Sequence, residues 1–240
     1  MLGDPGLEES AALLDGIVTG GADMLEVGFP FSDPVADGPV IQAASDRALR
    51  AGVKPGNCFK LLTSFRDRHP AIPVGILTYA NLVVARGIER FCSDAAAAGV
   101  DSLLVADVPS LEAGPFAAAA GAAGLDLVMI AAPNTPASTL ARIAELASGY
   151  TYCVARSGVT GAGERLSLDH NHLFSQLTSL RAPPPVLGFG ISTPDHVQQA
   201  LRAGAQGVIS GSAIIQLLGQ AGALNSVTNF VRCMKRATQP

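Results

Sequence analysis

Two acidic side chains stand where an apolar strand gives way to a turn-rich loop. Glu26 lies within the apolar run MLEVGFP (24–30), and Asp37 follows in the loop GFPFSDPVADGP, between Ala36 and Gly38. A carboxylate flanked by Leu25, Val27 and Phe29 loses hydration, and desolvation raises its pKa towards neutrality. A group so tuned suits proton donation or acceptance at physiological pH. A rigid turn could aim Asp37 back at the same point. The alternative for either acid is a structural role capping a helix. That alternative is weaker for Glu26, because burying an acid in a strand costs free energy unless it has a task. Asp33, which precedes Pro34, reads first as an ordinary turn acid.

A second constellation is built from glycine. SGVTGAG (157–163), GFGIS (188–192) and SGSA (210–213) follow three successive late strand candidates. Free N–H groups in such turns, with a helix start after the last, form an anion cradle. Simple turn geometry is the alternative. Tyr79 and Tyr152 fall on strand candidates and could face a substrate. A buried tyrosine needs a hydrogen-bond partner, which a nearby carboxylate could supply. Leu77, Leu104, Ile130 and Phe189 are candidates for an apolar wall, although most such residues are simply core. His69, His170, His172 and His196 show no metal-ligand spacing and read as surface or packing residues; no metal site is expected.

These residues must be carried by regular elements. Seven short, continuously apolar runs recur at 24–30, 73–79, 102–107, 125–133, 150–155, 185–190 and 207–212. That pattern is what parallel strands buried on both faces require. Helical patterns lie between them, several ending in glycine, and STPD (192–195) carries an N-cap signature with proline in the first turn. With no composition break, residues 1–240 read as one domain, an α/β chain of the (β/α)8 TIM-barrel type. In such a barrel the C-terminal strand ends and the following loops form the active face. The strand count is one short, because only MLGDPG stands before the first helix pattern.

Hydrophobic residues make up 48% of the chain and charged residues only 15%, with a net charge of −4 and no block of either sign. An ordered globular core is expected, and neither nucleic acid nor an anionic membrane fits as main partner. A small anion remains compatible, since backbone N–H groups bind phosphate without excess Lys or Arg. Cys58, Cys92, Cys153 and Cys233 are scattered and read as buried free thiols in a reducing compartment. No run reaches transmembrane length and no signal peptide is expected, which points to a cytoplasmic protein, or a stromal one if a plastid transit segment has been removed.

In order along the chain, LEVGFPFSDPVADGPVIQ, YANLV, VDSLLVADVP, RSGVTG, GFGIS and ISGSAI resemble the tryptophan synthase alpha chain family. The likeness covers nearly the whole chain, and PFSDPVADGP is its most specific string. The resemblance implies a (β/α)8 barrel that cleaves indole-3-glycerol phosphate to indole and glyceraldehyde 3-phosphate with no metal or organic cofactor. It implies that Glu26 and Asp37 are catalytic, and that Gly161, Gly190, Gly211 and Ser212 hold the substrate phosphate. Tyr152 would lie beside the acids, and Tyr79, Leu77, Leu104, Ile130 and Phe189 would form the indole pocket. Pro30, Asp33 and Asn81 would lie on the side that meets a beta chain, in an alpha2-beta2 assembly. The loop SGVTGAGERLSLD would close over the ligand.

The family carries a helix and a first barrel strand ahead of the point where this sequence starts. The barrel is therefore expected to be N-terminally truncated, with strand one missing or residual and the neighbouring edges exposed. Besides a lyase working with a beta chain, the sequence admits a catalytically weak module that docks on a beta chain and activates it, or a stand-alone lyase releasing free indole. A metal-dependent epimerase lacks its His and Asp ligands, and a Schiff-base aldolase lacks its barrel lysine.

Overall fold

A computed structural model of the chain describes residues 1–154, 170–219 and 222–239. Its strands are β1 (Leu25–Gly28), β2 (Val74–Thr78), β3 (Ser102–Val105), β4 (Asp126–Leu127), β5 (Met129–Ala131), β6 (Thr151–Val154), β7 (Pro185–Gly188) and β8 (Gly207–Val208). All ladders are parallel, in the orders β1–β2–β3–β4 and β5–β6–β7–β8. β4 and β5 are two pieces of one extended run that changes partner at Val128. Upstream of it Asp126 and Leu127 pair with β3; downstream Met129–Ala131 pairs with β6. Val128 N–H itself still donates to the Leu103 carbonyl at 2.9 Å. Each of the seven apolar runs in the sequence thus supplies one stave of a barrel.

The apolar runs are continuous because the central staves are covered on both faces, while both residues of β8 are half-buried. β3 and β6 are buried along their whole length. Side chains alternate between an inner cluster and an outer one, as the two-residue period of a strand requires. Leu104, Val128, Tyr150, Tyr152 and Val154 form the inner cluster, with Leu77, Ile130, Phe189 and Ile209 against it. Ile76, Leu103, Leu127, Ala131, Cys153 and Leu187 belong to the larger cluster under the helices. There Phe59 stands edge-on to both Phe29 and Phe91, at 5.2 and 5.4 Å between centroids. This is the arrangement of a (β/α)8 TIM barrel, with seven of its staves among the described residues.

The helices at the two ends of the chain close the ring. Helix Leu7–Thr19 packs on helix Ala223–Arg236. Their close approach depends on small residues: a Cβ at Gly16 would lie 2.6 Å from Leu224 Cδ1, and one at Gly20 2.8 Å from the Thr228 carbonyl. Thr228 Oγ1 donates to the Gly16 carbonyl at 3.1 Å. Between β1 and β8 no strand is present among the described residues. Leu2 N–H donates to the Gly28 carbonyl at 2.9 Å, so the first residues run beside β1 where a first stave would pair. The buried Asp4 carboxylate, held by both arms of the Arg47 guanidinium at 2.8 Å, anchors that segment. No described helix is long and apolar enough to cross a membrane. Cys58, Cys92 and Cys153 are buried free thiols, but Cys233 is exposed, contrary to the expectation from sequence, because its helix turns that face outwards.

Candidate active site

At the C-terminal end of the barrel a cavity of about 200 Å³ opens among β1, β2, β5, β6 and the loops after β1, β7 and β8. Glu26 is the second residue of β1, paired in register with Gly75, and its side chain points to the barrel interior. Tyr150, at the foot of β6, donates its O–H to Glu26 Oε1 at 2.7 Å. Burial is the main influence on this carboxyl and lifts its pKa from the ordinary 4.5 to about 7; the Tyr150 hydrogen bond opposes the rise and the nearby Asp37 charge adds to it. Near neutral pH, Glu26 is thus poised between its acid and carboxylate forms.

Asp37 is delivered by the loop between β1 and helix Pro39–Arg50. The turn is locally determined: Asp37 N–H donates to the Pro34 carbonyl at 3.0 Å, and Gln42 Nε2 donates to the Asp37 carbonyl at 2.7 Å. The side chain is buried and accepts from Tyr79 O–H at 2.9 Å. The same phenolic oxygen accepts from Ala36 N–H at 3.2 Å, and the Tyr79 ring stacks on Phe31. Burial pushes the Asp37 carboxyl up, and the Tyr79 hydrogen bond pulls it back. Each acid is thus oriented by a tyrosine hydroxyl from another stave.

Leu77, Tyr79, Ile130, Tyr152 and Phe189 line this cavity together with Glu26 and Asp37. Tyr152 and Phe189 meet edge to face at 5.9 Å. A Cβ on Gly188 would collide with the Tyr152 ring, so glycine there leaves room for that side chain. Gly190, Gly211 and Ser212 line the far end. Leu104 is buried in the inner cluster and does not reach the cavity surface. Gly161 and the loop SGVTGAGERLSLD lie outside the described residues. On the outer rim Asp33 and Asn81 are exposed while Pro30 is buried.

Several residues of the site were not singled out from the sequence. Tyr150 is the most consequential; its signal was its position two residues before Tyr152, which puts both on the inner face of β6. Ser192 and Ser210 join the glycines at the far end. His196 is not a bystander: its ring bonds the loop carrying Gly190 and Ser192. Of the other histidines, His69 stands against Asp15 and Phe65, His170 is buried on Phe174, and His172 is exposed. The cavity also touches Leu14, Ile17, Leu25, Val27 and Ile215. Leu25 and Val27 alternate with Glu26 and so face the helix layer. The cavity lining therefore reaches both faces of β1.

No group of three or more His, Cys, Asp or Glu side chains suited to a metal ion occurs among the described residues. The chemistry on offer is proton transfer at a pair of acids beside an apolar slot, with backbone N–H groups at its far end.

Comparison with known proteins agrees with this arrangement. Residues 1–239 match the family model described as tryptophan synthase alpha chain. The tryptophan synthase alpha chain of Shewanella amazonensis is 51% identical over 242 residues, covering 99% of this chain and 91% of that one. That of Escherichia coli (strain SMS-3-5 / SECEC) is 49% identical over 243 residues, with the same coverage. Among solved structures, a chain of the tryptophan synthase a2b2 complex from Pyrococcus furiosus superposes with a TM-score of 0.89 at 33% identity, covering 98% of this chain and 94% of that one.

Proposed function

The chain belongs to the tryptophan synthase alpha chain family, and from that premise we propose how its own residues carry the reaction. The protein is a carbon–carbon lyase of tryptophan biosynthesis, cleaving indole-3-glycerol phosphate to indole and glyceraldehyde 3-phosphate. The bond to be broken joins indole C3 to the hydroxyl-bearing carbon of the glycerol chain. Cleavage in the retro-aldol sense needs a proton placed on C3, giving a cationic indoleninium ring. It then needs the proton of the adjacent hydroxyl removed, so that the oxygen becomes the aldehyde carbonyl while the C–C electron pair returns to the ring.

Glu26 is the group that moves both protons: its acid form donates to C3, and the resulting carboxylate accepts from the hydroxyl. The two transfers restore its starting state. Asp37 accepts a hydrogen bond from the indole N–H and stabilises the positive charge that develops there. Leu77, Ile130, Tyr152 and Phe189 hold the planar ring, while Gly190, Gly211 and Ser212 bind the phosphate and fix the reacting carbon relative to Glu26. The observation that carries this assignment is Glu26 itself, with a pKa raised to about 7 and a tyrosine hydroxyl aligning it in the cavity that Asp37 shares.

The loops at the C-terminal ends of β1, β2 and β3 supply the docking face for a beta chain. Asp33 and Asn81 are exposed there, as are Val35, Val84 and Leu111. Exposed apolar side chains among polar ones are what a protein partner covers. The reading extends to a cytoplasmic lyase with one barrel domain. One observation favours a second reading, a weak catalyst that chiefly activates its partner: the cavity lining runs on from Glu26 to Leu25 and Val27, on the helix-facing side of β1. Indole release from indole-3-glycerol phosphate, measured with and without a beta chain, separates the two. Turnover that rises on adding the partner supports the lyase. A folded chain that releases no indole in either mixture removes it.

A further inference from the structure

The loop from β7 to the helix Pro194–Arg202 forms the anion end of the cavity through Gly190, Ile191 and Ser192. Thr193 caps that helix, accepting at Oγ1 from His196 N–H at 3.2 Å, and so fixes His196 in its first turn with the ring turned back on the loop. His196 Nδ1 lies 3.1 Å from the Gly190 carbonyl oxygen, 3.3 Å from the Ser192 backbone nitrogen and 3.5 Å from Ser192 Oγ. One ring nitrogen therefore faces both an obligatory acceptor and an obligatory donor. It carries either a proton or a lone pair, so it satisfies the carbonyl or the N–H but not both.

We propose that His196 is a positioning residue for the phosphate end of the site, exchanging one backbone partner for the other as the anion binds. With the site empty, the Nδ1 lone pair accepts from Ser192 N–H. When a dianion takes that N–H, Nδ1 is left against the Gly190 carbonyl and must hold a proton to bond it. A neutral ring could move its own proton from Nε2 to Nδ1, but beside a dianion the cation is favoured, so a second proton is taken from solvent and gives an imidazolium. Binding thus raises the affinity of His196 for a proton, and by linkage anion affinity rises as pH falls through the histidine range. The inference rests on the reading that Gly190, Gly211 and Ser212 hold the phosphate.

Other charges near this ring are accounted for among the described residues. Asp195 on the same helix is held by Gln199, and Arg202 by Gln198. On the packed helix Ala223–Arg236, Arg232 bonds Asn229, Lys235 pairs with Asp23, and Arg236 makes no hydrogen bond to the ring. Glu26 and Asp37 line the same cavity, and Glu26 titrates near neutrality, so it too makes anion binding pH-dependent. The contribution of His196 is the difference between the wild-type chain and His196→Gln, which hydrogen-bonds but does not titrate.

Sulfate is the probe, because it stays a dianion where phosphate itself titrates. Calorimetry on the whole chain in two buffers of different ionisation enthalpy gives both affinity and proton uptake. Between about pH 8 and about pH 6, wild-type affinity should rise roughly three- to tenfold more than that of His196→Gln, with proton uptake lower in the variant. In turnover the variant should raise KM and leave kcat close to wild type. Nitrogen NMR of the wild-type ring, which needs no variant, should show Nδ1 becoming protonated as sulfate is added while Nε2 keeps its proton. Equal pH slopes and equal proton uptake, or an Nδ1 that keeps its lone pair in the complex, would overturn the proposal. No sulfate binding by the wild-type chain at either pH would remove the phosphate reading beneath it, and the proposal with it.

Discussion

Replacing Glu26 with glutamine should make the protein more stable as well as inactive, and the gain should depend on pH. In the folded chain the Glu26 carboxyl titrates at about 7 rather than 4.5, chiefly because burial penalises its charged form. A group whose folded pKa lies above its unfolded value binds its proton more tightly when folded. Its contribution is therefore neutral below the unfolded pKa, and it destabilises the fold progressively as pH rises from 4.5 towards 7. At 1.36 kcal/mol per unit, a shift of that size amounts to about 3 kcal/mol above pH 7. Glutamine removes the charge while its carbonyl oxygen still accepts from Tyr150, so most of the penalty should be recovered. Urea unfolding of both proteins at about pH 8 and about pH 5 reads this directly. The expected outcome is a gain of about 2–3 kcal/mol at the higher pH that shrinks to less than about 1 kcal/mol at the lower. A gain of equal size at both, or none at about pH 8, would refute the claim that Glu26 is held in a desolvating environment.

Removing the Tyr150 hydroxyl should act on the same group from the other side. Its hydrogen bond favours the Glu26 carboxylate, so Tyr150→Phe should raise the Glu26 pKa further and move the alkaline fall in kcat/KM to higher pH; an unmoved or acid-shifted limb speaks against the assignment. Asp37→Asn keeps the Tyr79 contact but weakens charge stabilisation at the indole nitrogen, and should lower kcat by roughly 10²–10⁴-fold, measured as indole release. Thr78 is fully buried on β2 and its hydroxyl has no partner among the described residues. Thr78→Val should therefore stabilise the chain by about 1 kcal/mol in denaturant unfolding without altering turnover, and a loss of stability would show that the hydroxyl is bonded.

The staves were legible because a strand covered on both faces must be apolar at consecutive positions. What that rule does not encode is a change of partner within a run, and so the break at Val128 between β4 and β5 could not be read. Helices Pro55–Arg68, Ala80–Arg86 and Ala223–Arg236 were likewise not picked out. Glu26 stood out in the sequence because an acid in an apolar run is costly. Tyr150 did not, since a tyrosine in a strand is unremarkable until the barrel closes and brings it across to Glu26. His196 escaped for a related reason: its role comes from a helix cap that turns the ring back on the preceding loop. Local sequence shows the cap in STPD but not which way the ring faces.

The central claim is that Glu26 carries the protons of carbon–carbon cleavage. The most direct test compares indole release by the wild-type chain and by Glu26→Gln at about pH 7, in the presence of a beta chain, with substrate binding measured alongside. The account predicts that the variant stays folded, binds indole-3-glycerol phosphate and releases indole at a rate lower by at least about 10²-fold. Turnover in the variant within a few-fold of wild type would contradict it.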